Sequence, residues 1–355
     1  MTGKVAFIYN SLPDKQRTGV FSECCSGKTV QSIRRALALT GCTVLPLNLW
    51  TPSQLSRFLV SQRPEFAFCI AEGFLADPET LYNGDGAASV RRALQAGGIP
   101  VSHSSAGVME LCRQKERTYR VLAHNGVSCP WNLYLPGADQ GWVGQDIPDS
   151  LYPLFVKPSG GGNSIGVDGG SIVNDLLQLS QRISQLSRTM GDTGIIIESY
   201  LGGMEYTVGV IGNAIPIALP PLSFPAGLVR SAAVKRQEGG GELPVLPVEP
   251  QDPVYDRLRD IAVQTFKALG AADALRIDIR ADDQGRLFVI DVNGTPSLAP
   301  TASLAKMAAL TGIHYEDFLT LILNYGRVRM GLSSLEIRAQ VLDCLVALST
   351  EEMIA

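Results

Sequence analysis

Short apolar runs alternate with amphipathic stretches over the first hundred residues. Residues 5–9 (VAFIY) read as a strand, and residues 27–39 (GKTVQSIRRALAL) carry apolar positions at helical spacing before Gly41 stops them. Residues 42–49 (CTVLPLNL) return to a strand pattern, residues 66–70 (FAFCI) form a short buried strand ending at AEG, and residues 87–96 resume as a helix. Strand and helix in alternation predict an α/β layer with a parallel sheet. The rhythm changes around residues 103–106. One helix over residues 107–125, carrying Arg113, Lys115, Arg117 and Arg120, leads into GVSCPWNLYLP. The strand LYPLFVKP, a glycine-rich stretch, a polar helix over residues 172–188 and the strand GIIIESY follow. YTVGVIG and AIPIALP then read as paired strands, ahead of a Gly/Pro-interrupted segment over residues 222–250, the helix VYDRLRDIAVQTFKALG, two more strands and closing helices. The expected organisation is an α/β and α+β multidomain chain divided at 1–103, 104–196 and 197–355. Its tail, residues 333–355, has the spacing of an amphipathic helix packed on the body rather than on a membrane.

At 355 residues the chain exceeds one ordinary core, which agrees with several packed units. Hydrophobic residues make up 45% and charged ones 18%, enough apolar material for large cores. Lys and Arg number 30 against 34 Asp and Glu, and no basic field gathers nucleic acid or anionic lipid. MTGKVAFIYN lacks the apolar core and cleavage site of a signal peptide, and no long uninterrupted apolar span follows, so the expectation is a cytoplasmic chain with no membrane partner. Seven cysteines form no CxxC pair and read as buried reduced thiols. SGKT at residues 26–29 resembles the end of a phosphate-binding P-loop, but Ser22 occupies the place of the required first glycine; a helix N-terminus is the better reading. His103, His124 and His314 lie apart in unlike contexts and suggest no triad.

Two stretches carry chemistry more clearly. In FVKPSGGGNSIGV, residues 155–167, Lys157 ends a strand and Gly160, Gly161 and Gly162 let backbone N–H groups face an anion without side chains in the way. Lys157 then offers a point charge, and Asn163 and Ser164 add polar contacts; a plain flexible turn is the alternative. In LRIDIR–ADDQGR–LFVIDVNGTP the central turn predicts a hairpin. Alternation puts Arg276 and Asp278 on one face against Ile277 and Ile279, and Asp291 and Asn293 against Val292. Two carboxylates and an amide suit Mg2+. A salt-bridge cluster, the alternative, would leave two acids facing a single arginine. Glu198 and Glu205 bracket a Gly-Gly turn and read equally as surface acids.

In order, these pieces resemble the ATP-grasp ligases, and within them the D-alanine:D-alanine ligase branch. The likeness runs from about residue 5 to residue 323 and is carried by VKPSGGGNSIGV, IESYLGGMEYTVGVIG, LRIDIRADDQGRLFVIDVNGTPSL and SLAKMAALTGI. It implies an ATP-grasp fold behind an N-terminal parallel α/β domain, with ATP between two antiparallel-sheet domains. It also implies roles by position. Lys115 and Lys157 would contact the nucleotide, with Gly161, Gly162 and Ser164 folding over its phosphates. Glu198 and Leu201 would frame the adenine, and Glu205 the ribose. Lys235 would be the phosphate-binding lysine of a mobile loop. Asp278, Asp291 and Asn293 would hold Mg2+, or Mn2+ in its place. Arg276, helped by backbone near Ser297, would stabilise the oxyanion, while Ser303 and Leu304 would receive the second amino acid's carboxylate.

The implied reaction moves the terminal phosphoryl group of ATP onto a carboxylate, leaving an acyl phosphate that an amine displaces. Residues 222–250 would act as a lid over it. The chain also departs from the branch. Where the family links a glutamate, a serine and a tyrosine around the first alanine, this sequence has Phe21 with Glu23 two residues on, Asn163 and Arg236. Asp291 replaces the usual metal glutamate, and Ser297 a glycine. The altered first-substrate pocket points to a ligase joining an amino-acid amine to an activated carboxylate or vinylogous carbonyl, with threonine or serine transfer to mycosporine-glycine as the candidate reaction. D-alanine:D-alanine ligation is the alternative, and a non-catalytic ATP-binding sensor the alternative of another class. The family implies a homodimer.

Overall fold

The computed structural model describes residues 3–81, 85–137, 147–160, 166–190, 194–225 and 245–354. Its first layer is the parallel sheet that the alternation predicted. Strands β1 (Lys4–Tyr9), β2 (Thr43–Asn48) and β3 (Phe66–Cys69) lie in the order β2–β1–β3. Helices α1 (Gly27–Leu39), α2 (Pro52–Gln62) and α3 (Gly86–Ala96) connect and cover them. Ser26 caps α1, its Oγ accepting from the Thr29 N–H at 3.1 Å, so SGKT is a helix start. The sequence reading missed α2, although Thr51 caps it and Pro52 opens it. Because β2 and β3 flank β1 on opposite sides, a crevice opens at the carboxyl ends of β1 and β3, as in other open parallel sheets. Asn10 and Glu72 stand there. The Asn10 side-chain oxygen accepts from the backbone N–H groups of Glu72 and Gly73, at 2.8 and 3.2 Å, which fixes the turn carrying Glu72.

The single helix expected over residues 107–125 is two helices, α4 (Ala106–Arg113) and α5 (Lys115–His124). Gln114, at φ −111° and ψ 88°, breaks them without a glycine or proline. The break turns Arg113 toward the first layer and starts α5 against the next: the Lys115 N–H reaches the Ser159 carbonyl at 3.5 Å.

The central layer is an antiparallel sheet in the order β4–β7–β5–β6, formed by β4 (Asn132–Leu135), β5 (Leu154–Pro158), β6 (Ile172–Val173) and β7 (Ile195–Ser199). Its helix, α6 (Leu176–Met190), begins later than the expected residue 172, because Ile172 and Val173 pair with β5 instead. Arg182 of α6 is buried and ties down the end of the glycine-rich stretch, donating to the Gly166 carbonyl at 2.6 Å and to Ser171 Oγ at 2.9 Å.

The third layer is built on β8 (Glu205–Gly212), with β9 (Ile217–Ala218), β10 (Leu222–Phe224), β11 (Leu246–Pro247), β12 (Asp273–Ala281) and β13 (Leu287–Asn293). The order is β11–β10–β8–β12–β13, and β9 pairs with β8. Helix α7 (Tyr255–Leu269) packs Leu258, Ala262 and Phe266 against Val208, Val210, Ile277 and Ile279 on one face. Residues 226–244, the middle of the proposed lid, lie outside the described residues.

Helices α8 (Ser303–Leu310), α9 (Tyr315–Arg329) and α10 (Ala339–Ile354) return to the first layer. Phe318 and Ile322 of α9 share a core with Phe7, Ile33 and Phe68, and Val341, Leu345 and Leu348 of the tail helix join it. The tail therefore packs on the body, as its spacing predicted. A buried ionic knot ties the first and third layers: Asp273 accepts from Arg329 Nε at 3.0 Å and from the His103 backbone N–H at 2.7 Å. Among the described residues no helix is long and apolar enough to cross a membrane.

Candidate active site

The β12–β13 hairpin sets the centre of the site. Asp278 lies directly opposite Asp291, and Arg276 opposite Asn293, so all four share one face, as alternation predicted. The bulge was not predicted. Pairing slips after Asp278, so that Ile279 faces Val289 and Ile290 has no partner across the ladder. Strict alternation along LFVIDVN would put Leu287 and Val289 on the same face as Asp291 and Asn293. The extra residue reverses the phase, sending Leu287 and Val289 to the core against α7 and the two polar residues to the site.

Arg276 grips Asp278 in two places, Nε to Oδ1 at 3.0 Å and Nη2 to Oδ2 at 3.0 Å, and Thr207 on the adjoining β8 donates its hydroxyl to Oδ1 at 2.7 Å. Asp291 meets Lys115 Nζ at 3.3 Å. The expectation of two acids facing a single arginine is thereby corrected: α5 supplies a second cation that sequence distance concealed. Among the described residues, the face sets two carboxylates against one guanidinium and one ammonium.

Above the bulge, Lys157 of β5 pairs with Glu198 of β7, Nζ to Oε1 at 2.7 Å. Both side chains are buried, along with Tyr119 of α5. The Tyr119 hydroxyl lies 3.0 Å from Glu198 Oε2 and 2.7 Å from the Ile290 carbonyl, which Lys157 Nζ also reaches at 3.2 Å. The free carbonyl of the bulge is thus met by two donors. Burial first, then the Glu198 charge, raises the Tyr119 pKa well above its ordinary value and keeps the phenol protonated. Leu201 is buried beyond β7. Glu205 pairs across the ladder with Arg280, Oε2 to Nη1 at 3.2 Å. Between them, Gly203 approaches the β12 turn closely: a Cβ there would lie 2.7 Å from the Ala281 carbonyl oxygen, which explains one glycine of the Gly-Gly pair.

Ser303 and Leu304 form the first turn of α8, which no side chain caps. Its approach to the hairpin depends on Gly209, the ladder partner of Arg276, where a Cβ would meet Leu304 Cδ2 at 2.5 Å. Asn293 Oδ1 accepts from the Thr295 N–H at 3.0 Å, and exposed Ser297 lies two residues further on.

Glu23, at the edge of the first layer, lies 3.7 Å from Arg113 Nη1, and Arg113 also pairs with buried Glu72. Burial above all raises the Glu72 pKa, although Arg113 opposes the rise. The neighbouring thiols Cys24 and Cys112 are pushed up to about 12 by burial and are inert, as expected of them. Sequence reasoning missed Glu72, Tyr119 and Thr207; for Glu72 the signal was there, an acid at the carboxyl end of a predicted parallel strand. Gly161, Gly162, Asn163, Ser164, Lys235 and Arg236 lie outside the described residues.

Among the described residues no three His, Cys, Asp or Glu side chains gather as a metal site. Asp278, Asp291 and the Asn293 amide, on one face of a hairpin, nonetheless present the hard oxygen donors that suit Mg2+.

Two antiparallel sheets facing each other across buried lysines, behind a parallel α/β layer, define an ATP-grasp fold. Residues 137–324 match the family described as D-ala D-ala ligase C-terminus. Among similar proteins, the D-alanine–D-alanine ligase of Syntrophotalea carbinolica is 28% identical over 83% of this chain and 89% of its own length. That of Pediococcus pentosaceus is 30% identical over 67% of this chain and 65% of its own. The crystal structure of the Bacillus anthracis D-alanine–D-alanine ligase complexed with ATP superposes with a TM-score of 0.71 at 24% identity, covering 93% of this chain and 99% of that one. The chain belongs to the D-Ala-D-Ala ligase family. It is an ATP-dependent C–N ligase of the type that forms ADP and phosphate.

Proposed function

We propose that the chain joins the amine of one small amino acid to the carboxylate of another, activated as its acyl phosphate, and that D-alanine is the substrate on both sides. The relatives found support this reading better than threonine or serine transfer to mycosporine-glycine, which the altered pocket residues alone favour. The observation that carries the phosphoryl-transfer chemistry is the cross-strand pair Asp278 and Asp291, gathered with Asn293 on one face of the hairpin. Asp278, Asp291 and Asn293 would hold a divalent cation, which would supply charge neutralisation for the outer phosphates. Lys115 would lie toward the nucleotide and Arg276 toward the substrate.

Lys157 and Glu198 hold the nucleotide at the hinge, with Leu201 against the base and Glu205 toward the ribose. Gly161, Gly162 and Ser164 cover its phosphates, and Lys235 approaches from residues 222–250. A carboxylate oxygen of the first substrate takes the terminal phosphoryl group. The amine of the second, held by its own carboxylate at Ser303 and Leu304, attacks the acyl carbon, and phosphate leaves with the transferred oxygen. Arg276, with backbone near Ser297, stabilises the tetrahedral oxyanion. Glu23, Asn163 and Arg236 shape the first-substrate pocket. Domains at 1–103, 104–196 and 197–355 and a homodimer complete the reading; light scattering reads the dimer.

The test is phosphate release and product mass from purified protein, Mg-ATP and an amino-acid panel. D-alanine alone giving D-alanyl-D-alanine supports the proposal. Release only with threonine or serine plus mycosporine-glycine overturns it in favour of that transfer. No release with any pair points to a nucleotide sensor.

A further inference from the structure

We propose that Tyr119 is a positioning residue of the nucleotide cleft, whose hydroxyl sets the spacing between the two antiparallel sheets. The proposal rests on the reading of Lys157 and Glu198 as nucleotide-holding residues. Glu198 belongs to the central sheet and Ile290 to the third-layer sheet, and Tyr119, on α5, belongs to neither. Its hydroxyl is where they meet, 3.0 Å from Glu198 Oε2 and 2.7 Å from the Ile290 carbonyl.

Lys157 crosses the same gap, with Nζ 2.7 Å from Glu198 Oε1, 3.2 Å from the Ile290 carbonyl and 3.5 Å from the Tyr119 oxygen. An ammonium has three N–H groups, and these three acceptors match them. The longest contact, to Tyr119, is the one most readily exchanged for a ligand atom. While the hydroxyl is present, Lys157 can release that contact, and the sheets stay tied through the phenol, whose single proton is shared between Glu198 Oε2 and the Ile290 carbonyl. Without it, the salt bridge and the bulge carbonyl must hold the cleft alone, and recruiting Lys157 to a nucleotide loosens them. The bulge gives the contact its reach to chemistry, because Ile290 directly precedes Asp291: holding its carbonyl holds the strand that presents the acid.

Tyr119→Phe removes the hydroxyl and keeps the ring in place. The KM for ATP and the Kd for ADP, by calorimetry, are expected to rise about tenfold, the scale of one lost hydrogen bond to a charged partner. The KM for the amino-acid substrate, read at saturating ATP, is expected to move less than about twofold. A purely structural tyrosine would lower the melting temperature and leave ADP affinity unchanged, and that result overturns the proposal. Lys157→Met, measured in parallel, separates the two levels. If it weakens ADP binding while Tyr119→Phe does not, Tyr119 has no positioning role. If neither variant changes ADP binding, the nucleotide site has been misplaced and the proposal falls with it. Tyr119→Met, a flexible filler without the hydroxyl, carries the same expectation should the phenylalanine variant fold poorly.

Discussion

Replacing His103 by asparagine should remove a defined part of the protein's acid sensitivity. The imidazole is 1% exposed, edge-on to Phe68 with centroids 5.6 Å apart, and its Nδ1 lies 2.9 Å from Ser102 Oγ. Burial is the main cause, and the guanidinium groups of Arg91 and Arg329 add to it: together they lower the His103 pKa from 6.5 to about 3. The unfolded chain takes up this proton as pH falls through about 6.5, whereas the folded chain refuses it until about 3. Stability present above the upper value is therefore lost across that window as the medium is acidified. Complete loss corresponds to about 5 kcal/mol, of which about 2 kcal/mol falls between pH 7 and pH 5. Asparagine tolerates the left-handed backbone at this position, φ 64°, and keeps the N–H that Asp273 accepts, but does not titrate. Buried Asp273 and Glu72, whose pKa values are raised, act in the opposite direction but are common to both proteins. Urea unfolding at pH 7, 6 and 5 reads the difference. The wild type should lose about 2 kcal/mol more than His103→Asn between pH 7 and pH 5, whatever the variant's absolute stability. Equal slopes would show that the folded protein accepts the proton and that the reasoning is wrong.

Arg276→Met should lower kcat by about a hundredfold to a thousandfold, the usual loss when an oxyanion donor is removed, and leave the KM for ATP within about threefold. Coupled ADP-release kinetics check it, and an unaltered kcat would remove Arg276 from the chemistry. Gly203→Ala should cost about 1–3 kcal/mol, because the new Cβ would press on the Ala281 and Asp282 carbonyls, which are backbone and cannot swing aside. A denaturation midpoint equal to the wild type would refute that close approach.

What the sequence made legible and what it hid divide along a physical line. Period-two alternation placed Arg276, Asp278, Asp291 and Asn293 on one face because the residues nearest the open end of the hairpin pair regularly. The bulge at Ile290 left little local mark, since the apolar run LFVI before Asp291 is compatible with either register until the core chooses one. The break at Gln114 was likewise silent, as RQKERTYR suits a continuous helix; it is imposed by Arg113 reaching Glu72 on one side and Lys115 reaching Asp291 on the other. Those partners lie 41 and 176 positions away in the chain, and only the fold brings them together. Glu72 was legible as an acid at the carboxyl end of a predicted parallel strand, but the Asn10 contact that fixes its turn joins two strand ends and is not encoded by periodicity.

The central claim is that the first substrate's carboxylate is activated by phosphorylation before the amine attacks. Its most direct test is a single turnover with D-alanine labelled with oxygen-18 in the carboxylate, followed by mass analysis of the released phosphate. An acyl phosphate transfers one carboxylate oxygen to phosphorus, so the account predicts phosphate carrying one heavy oxygen, together with ADP and an amide product. Unlabelled phosphate alongside that product, or AMP and pyrophosphate in place of ADP and phosphate, would contradict it.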